Sequence, residues 1–122
     1  MLGYVMIGTN DIDKALAFYD TILGECGGKR LMDHPNGQIY GFAQGGMIGV
    51  VTPYDKKPAT VGNGMMVALN VGTAEKVDAI YNKALELGGS CEGEPGERMD
   101  GFYGAYFRDL DGNKLCAFAM AG

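Results

Sequence analysis

The chain has 122 residues, of which 47% are hydrophobic and 20% charged, with a formal net charge of −5. That length suits one domain able to bury a core without disulfides or a structural metal. The acidic balance and scattered basic residues exclude a nucleic-acid partner, which needs clustered Lys and Arg, and no apolar run approaches the ~20 residues that span a bilayer.

The chain opens Met-Leu-Gly-Tyr-Val, without the basic stretch of a secretory leader. Residues 4–9 are short and apolar and predict a strand. Asn10 and Asp11 offer N-caps, and Ile12, Ala15, Leu16, Tyr19, Ile22 and Leu23 then follow helical spacing until Gly24. Three short strands are expected next, over 28–33, 38–43 and 47–52, separated by Pro35-Asn36-Gly37 and Gly45-Gly46. Residues 53–63 are polar with two prolines and read as a connector.

After the connector the plan restarts. An apolar strand is expected over 65–71, and Thr73 caps a helix whose buried stripe is Val77, Ile80, Tyr81, Ala84 and Leu85. Gly88-Gly89 ends it. Residues 90–94 suggest a short edge strand, and 93–101 a Gly/Pro-punctuated loop able to close over a cleft mouth. A hairpin over 102–108 and 114–120 turns at Asp109-Leu110-Asp111-Gly112-Asn113, where Asp and Asn hydrogen-bond the turn and Gly112 supplies positive φ. The halves superpose at an offset of 62 positions, which carries Lys14 onto Lys76 and Tyr19 onto Tyr81. A repeat of this size indicates a duplicated βαβββ unit. Cys26, Cys91 and Cys116 are odd in number and lack Cys-x-x-Cys spacing, so reduced thiols and a cytoplasmic location are expected.

Tyr-Val-Met-Ile-Gly-Thr-Asn-Asp-Ile-Asp-Lys-Ala-Leu-Ala-Phe-Tyr, residues 4–19, resembles the first strand and helix of the vicinal-oxygen-chelate (glyoxalase/bleomycin-resistance/dioxygenase) superfamily. Tyr-Phe-Arg-Asp-Leu-Asp-Gly-Asn-Lys-Leu-Cys, residues 106–116, resembles its Asp-Pro-Asp-Gly-Asn hairpin, with Leu110 in place of proline. The resemblance covers essentially the whole chain. It implies an α+β fold of two tandem βαβββ modules whose curved mixed sheets surround a cleft. The first module would span about 1–52, the connector 53–63 and the second module about 64–122. It also implies a homodimer whose cleft binds a small organic molecule.

Metal-dependent members place His or Glu on inward-facing strand positions, because divalent ions need such N and O donors. Their first-strand histidine aligns with Tyr4, and the fifth-strand histidine, by the 62-residue offset, with Met66. The glutamate that follows Asp-Gly-Asn aligns with Cys116, and the fourth-strand donor falls near Gly49 or Val50. A phenol, a thioether and a thiol match Ni²⁺, Zn²⁺, Mg²⁺ or Fe²⁺ chemistry poorly, so no metal or other cofactor is expected. The alternative is a divalent metal in a rebuilt site. His34, the lone histidine, lies beside Pro35 at a strand end and reads as a turn residue, and Cys116 as a buried structural thiol.

Strand alternation supplies cleft candidates in place of metal ligands. Tyr4 and Met6 would face the cleft from the first strand, and Met66, Ala68 and Asn70 from the fifth. Cys116 and Phe118 would join from the last strand, Tyr40, Phe42 and Met47 from the first module, and Arg98 from the 93–101 loop, where it could meet an anionic group. Such a lining, aromatic and Met-rich, suits an apolar or aromatic ligand held without a metal. The alternative function is a glyoxalase-type (lactoylglutathione lyase-like) lyase or a dioxygenase with an altered site.

Overall fold

A computed structural model describes residues 1–121. Local signals account for both helices. In α1 (Ile12–Gly24) the Asp11 side chain accepts from the Lys14 amide at 3.2 Å, and Ala15, Phe18, Tyr19, Ile22 and Leu23 form the buried stripe. In α2 (Ala74–Glu86) Thr73 caps through the Lys76 amide, and Val77, Ile80, Tyr81 and Ala84 are buried. Gly24 is the last residue of α1 rather than its stop. The chain reverses at Gly27, whose φ of +83° suits glycine, as it does at Gly88 (φ +104°) after α2.

The strands are β1 (Tyr4–Gly8), β2 (Lys29–His34), β3 (Gly37–Gly41), β4 (Met47–Val51), β5 (Val67–Asn70), β6 (Ser90–Met99), β7 (Phe102–Arg108) and β8 (Lys114–Met120). They form two four-stranded mixed sheets of identical plan, β1-β4-β3-β2 and β5-β8-β7-β6, with β1–β4 and β5–β8 parallel and the other pairs antiparallel. This is the α+β fold of two tandem βαβββ modules expected from the repeat.

One expectation fails on β6. Residues 93–99 are not a loop over a cleft mouth but the outer half of a ten-residue edge strand paired with β7. Pro95, which lacks an N–H, falls in the irregular stretch between the Gly93–Tyr106 and Gly96–Gly104 pairs, where no ladder bond is needed.

One face of each sheet packs on its helix, and a single core cluster joins both modules through α1, α2 and their sheets. The Asp109–Asn113 turn of the second module fastens onto the first. Asp109 is buried and accepts from the Tyr19 hydroxyl at 2.5 Å, from the Asp111 and Asn113 amides and from Asn113 Nδ2. Asn113 Nδ2 also donates to the Gly8 carbonyl at 2.9 Å, and Asp111 accepts from the Asn10 amide. A buried carboxylate with four donors is satisfied without a cationic partner.

Candidate functional site

Alternation along the strands leaves each sheet one face free of helix. On β1, Val5 and Ile7 turn inward, whereas Tyr4 (60% exposed) and Met6 turn outward. On β5, Ala68 and Asn70 are exposed and Val67 and Leu69 half-buried. Register then places Met47 and Gly49 beside Tyr4 and Met6, and Cys116 and Phe118 beside Ala68 and Asn70.

Residues of β1 and β5 share no ladder but line the same grooves, so a seam runs between the two strands. Grooves open along this seam. One of about 270 Å³ is lined by Tyr4, Phe42, Met47, Ala68 and Asn70, and reaches down to Cys26. A second of about 160 Å³ lies at the other end, against Met6, Met66 and Lys114. Seven of the sequence candidates therefore border the seam, five at one end and two at the other. Cys116 and Phe118 lie on the open face of the second sheet, as does Arg98, which reaches over Tyr106 from β6.

Tyr40 does not join them, and its candidacy is corrected. It pairs with Ile48 on the helix-facing side of β3, is 1% exposed, and donates from its hydroxyl to Asp20 at 2.7 Å. Asp20 also holds Arg30 at 2.8 Å, and that guanidinium keeps its carboxyl below the usual range, while burial raises the Tyr40 phenol.

The four positions that the resemblance assigns to metal donors fit a divalent ion poorly. Tyr4 and Met66 open onto opposite ends of the seam. Gly49 offers no side chain, and the Met6 sulfur with the Ile39 δ-methyl occupies the space a Cβ would take. Cys116 is 1% exposed, and burial raises its thiol, opposed by the neighbouring Tyr106 hydroxyl and by the Arg98 and Lys114 charges. No group of three His, Cys, Asp or Glu side chains spaced to hold an ion occurs among the described residues. His34 accepts from the Asn36 amide at 3.0 Å and so braces the β2–β3 turn.

Sequence reasoning missed Tyr106, Lys114 and Phe102. Tyr106 pairs with Cys116 and Phe102 stacks on Phe118 with ring centroids 5.1 Å apart. The alternation applied to β8 could have been extended to β7 once the hairpin register was drawn.

The family model for the Glyoxalase/Bleomycin resistance protein/Dioxygenase superfamily matches residues 1–117. A glyoxalase/bleomycin resistance protein from Albidiferax ferrireducens is 37% identical, with 98% of each chain covered and a TM-score of 0.90. Two more distant structures show the fold alone. They are a glyoxalase/bleomycin resistance protein/dioxygenase family enzyme from Burkholderia phytofirmans (21% identity, 97% of each chain, TM-score 0.77) and a lactoylglutathione lyase from Agrobacterium tumefaciens (18% identity, 98% of this chain and 92% of that one, TM-score 0.70). No curated protein matches the chain.

Proposed function

The chain belongs to the Glyoxalase/Bleomycin resistance protein/Dioxygenase superfamily, and we propose that it binds a small organic molecule along the β1–β5 seam without a metal. The observation that carries this reading is the residue set at the four donor positions. Phenol, thioether, buried thiol and glycine supply neither imidazole nor carboxylate, yet an apolar groove bordered by Tyr4 runs along the seam. Met47 gives that groove an adaptable wall, Tyr4 and Asn70 give it a few hydrogen-bonding groups, and Met6 and Met66 line the smaller groove at the other end.

We propose also that two copies associate through the open sheet faces. Tyr4, Met6, Leu31, Met32, Met66 and Met120 leave large apolar side chains exposed, which a second copy would cover. Sedimentation at micromolar concentration is expected to give a dimer. A monomer at every concentration contradicts this.

The binding reading is tested by methionine-methyl NMR of chelator-treated protein titrated with a panel of small aromatic compounds. The Met47 signal, at the larger groove, should shift saturably, while that of Met99 stays still. Absence of any saturable shift sinks the reading. Hemithioacetal conversion assayed with and without Ni²⁺ or Zn²⁺ serves the lyase alternative, and the expected result is no turnover. Glu92, a carboxylate of the second sheet, is committed to Arg108 at 2.8 Å, which leaves it unsuited to the role of general base.

A further inference from the structure

We propose that the open face of the second sheet carries an oxyanion subsite, so that the ligand of the seam is a small carboxylate with an apolar body; this rests on the binding reading above. The motivating feature is a gathering of three cations on one sheet of an acidic protein. Arg98 Cζ lies 5.3 Å and Lys114 Nζ 5.6 Å from the centroid of the Tyr106 ring. Arg108 stands directly opposite Lys114 in the β7–β8 register. Like charges at directly opposed positions destabilise a sheet.

Only one of these three cations is neutralised. Arg108 binds Glu92 at 2.8 Å and the Gly112 carbonyl at 2.9 Å. Among the described residues, neither Arg98 nor Lys114 has a carboxylate within 4.0 Å. The chain carries 15 Asp and Glu against 10 Lys and Arg, so acidic residues are not scarce elsewhere. Two cations beside one aromatic ring, neither in contact with a carboxylate, favour an anion there.

Arg98 is also positioned rather than loose. Its guanidinium donates to the Glu94 carbonyl and lies against Gly93 and Gly96, where an added Cβ would come within 3.1 and 3.0 Å of its nitrogens. The two glycines of β6 thus leave the bed in which the side chain reaches Tyr106. A planar guanidinium in this setting keeps donors free for a carboxylate, and Lys114 supplies a second charge from the wall of the smaller seam groove.

The surroundings define the rest of the ligand. Cys116 is the cross-strand partner of Tyr106 and lies beside Ala68, while Phe118 stacks on Phe102 and lies beside Asn70. An oxyanion drawn to these cations would place an attached aryl or branched alkyl group over Phe118 and Ala68 toward the seam. Bare inorganic oxyanions would forgo that contact.

The test compares benzoate, its neutral isostere benzamide and inorganic phosphate by calorimetric titration of the full chain. Benzoate should bind at least about tenfold more tightly than either, and Arg98→Gln and Lys114→Gln should each weaken benzoate about tenfold while leaving benzamide unchanged. Gly96→Ala, which keeps every charge but crowds the guanidinium, should weaken benzoate as well. Thermal melts check that each variant is folded. Equal binding of benzoate and benzamide, or insensitivity of benzoate to both charge substitutions, overturns the subsite and leaves the apolar groove standing. Phosphate binding as tight as benzoate overturns the apolar half of the ligand class. If no aromatic compound binds at all, the seam reading falls and the subsite falls with it.

Discussion

Asp109 accepts four hydrogen bonds, three from its own turn and one from Tyr19 across the module boundary. Removing the Tyr19 hydroxyl leaves the carboxylate with three donors, so Tyr19→Phe should lower unfolding stability by about 1–2 kcal/mol, read from urea midpoints. Asp109→Ala strands several donors at once and should cost about 3 kcal/mol or more. A second residue-scale outcome concerns the thiols. Cys91 is exposed and Cys116 is buried with its thiol raised, so Cys91 should react with a disulfide reagent at pH 7.5 while Cys116 reacts only on unfolding. Mass spectrometry of the labelled peptides checks the order. The Asp-Leu-Asp-Gly-Asn turn was legible in the sequence as a turn. Its second role as a fastener was not, because Tyr19 lies 90 positions away and only the packing of the modules brings it there.

At the level of elements, the helices and the strand order followed from capping residues, apolar spacing and the 62-residue repeat. The structure departs from the expected pattern on two strands, β3 and β6. The sequence groups Tyr40 with Phe42 and Met47 toward the cleft, but the register of β3 on β4 sets Tyr40 beside Ile48, on the helix side. On β6 the Gly-Glu-Pro-Gly run argued for a loop, yet an edge strand needs only one row of ladder bonds and tolerates Pro95 in an irregular stretch. Gly37 illustrates a constraint of the opposite kind. A Cβ there would overlap the Val50 carbonyl, which belongs to the paired backbone and cannot turn aside as a side chain would. Gly37→Ala should destabilise by about 1–3 kcal/mol or more, whereas Gly3→Ala, which meets nothing within 4 Å, should leave the urea midpoint near that of the unaltered chain.

For the whole molecule, burial favours the neutral forms of Tyr19, Tyr40 and Cys116 in the folded state. The ordinary values of these groups are 10.0 for the two phenols and 9.0 for the thiol. Below those values both states keep the protons and these groups add no pH dependence. Above them the unfolded chain releases protons that the fold retains, so stability falls as pH rises. Urea midpoints should therefore decline from about pH 9 to 11, and less steeply for Tyr19→Phe; a flat profile would count against the buried placement of these groups. The duplicated architecture was legible in the sequence, because a repeat and a turn motif are local patterns. The seam was not, since it depends on how β1 and β5 line the same grooves without pairing. The resemblance could indicate which positions to inspect, and the residues at those positions carry the functional claim. Titration of chelator-treated protein with a small aromatic carboxylate, repeated after adding Zn²⁺ or Ni²⁺, tests that claim most directly. The account predicts saturable binding with the same affinity in both titrations. Binding that appears only once a stoichiometric ion has been taken up would contradict it.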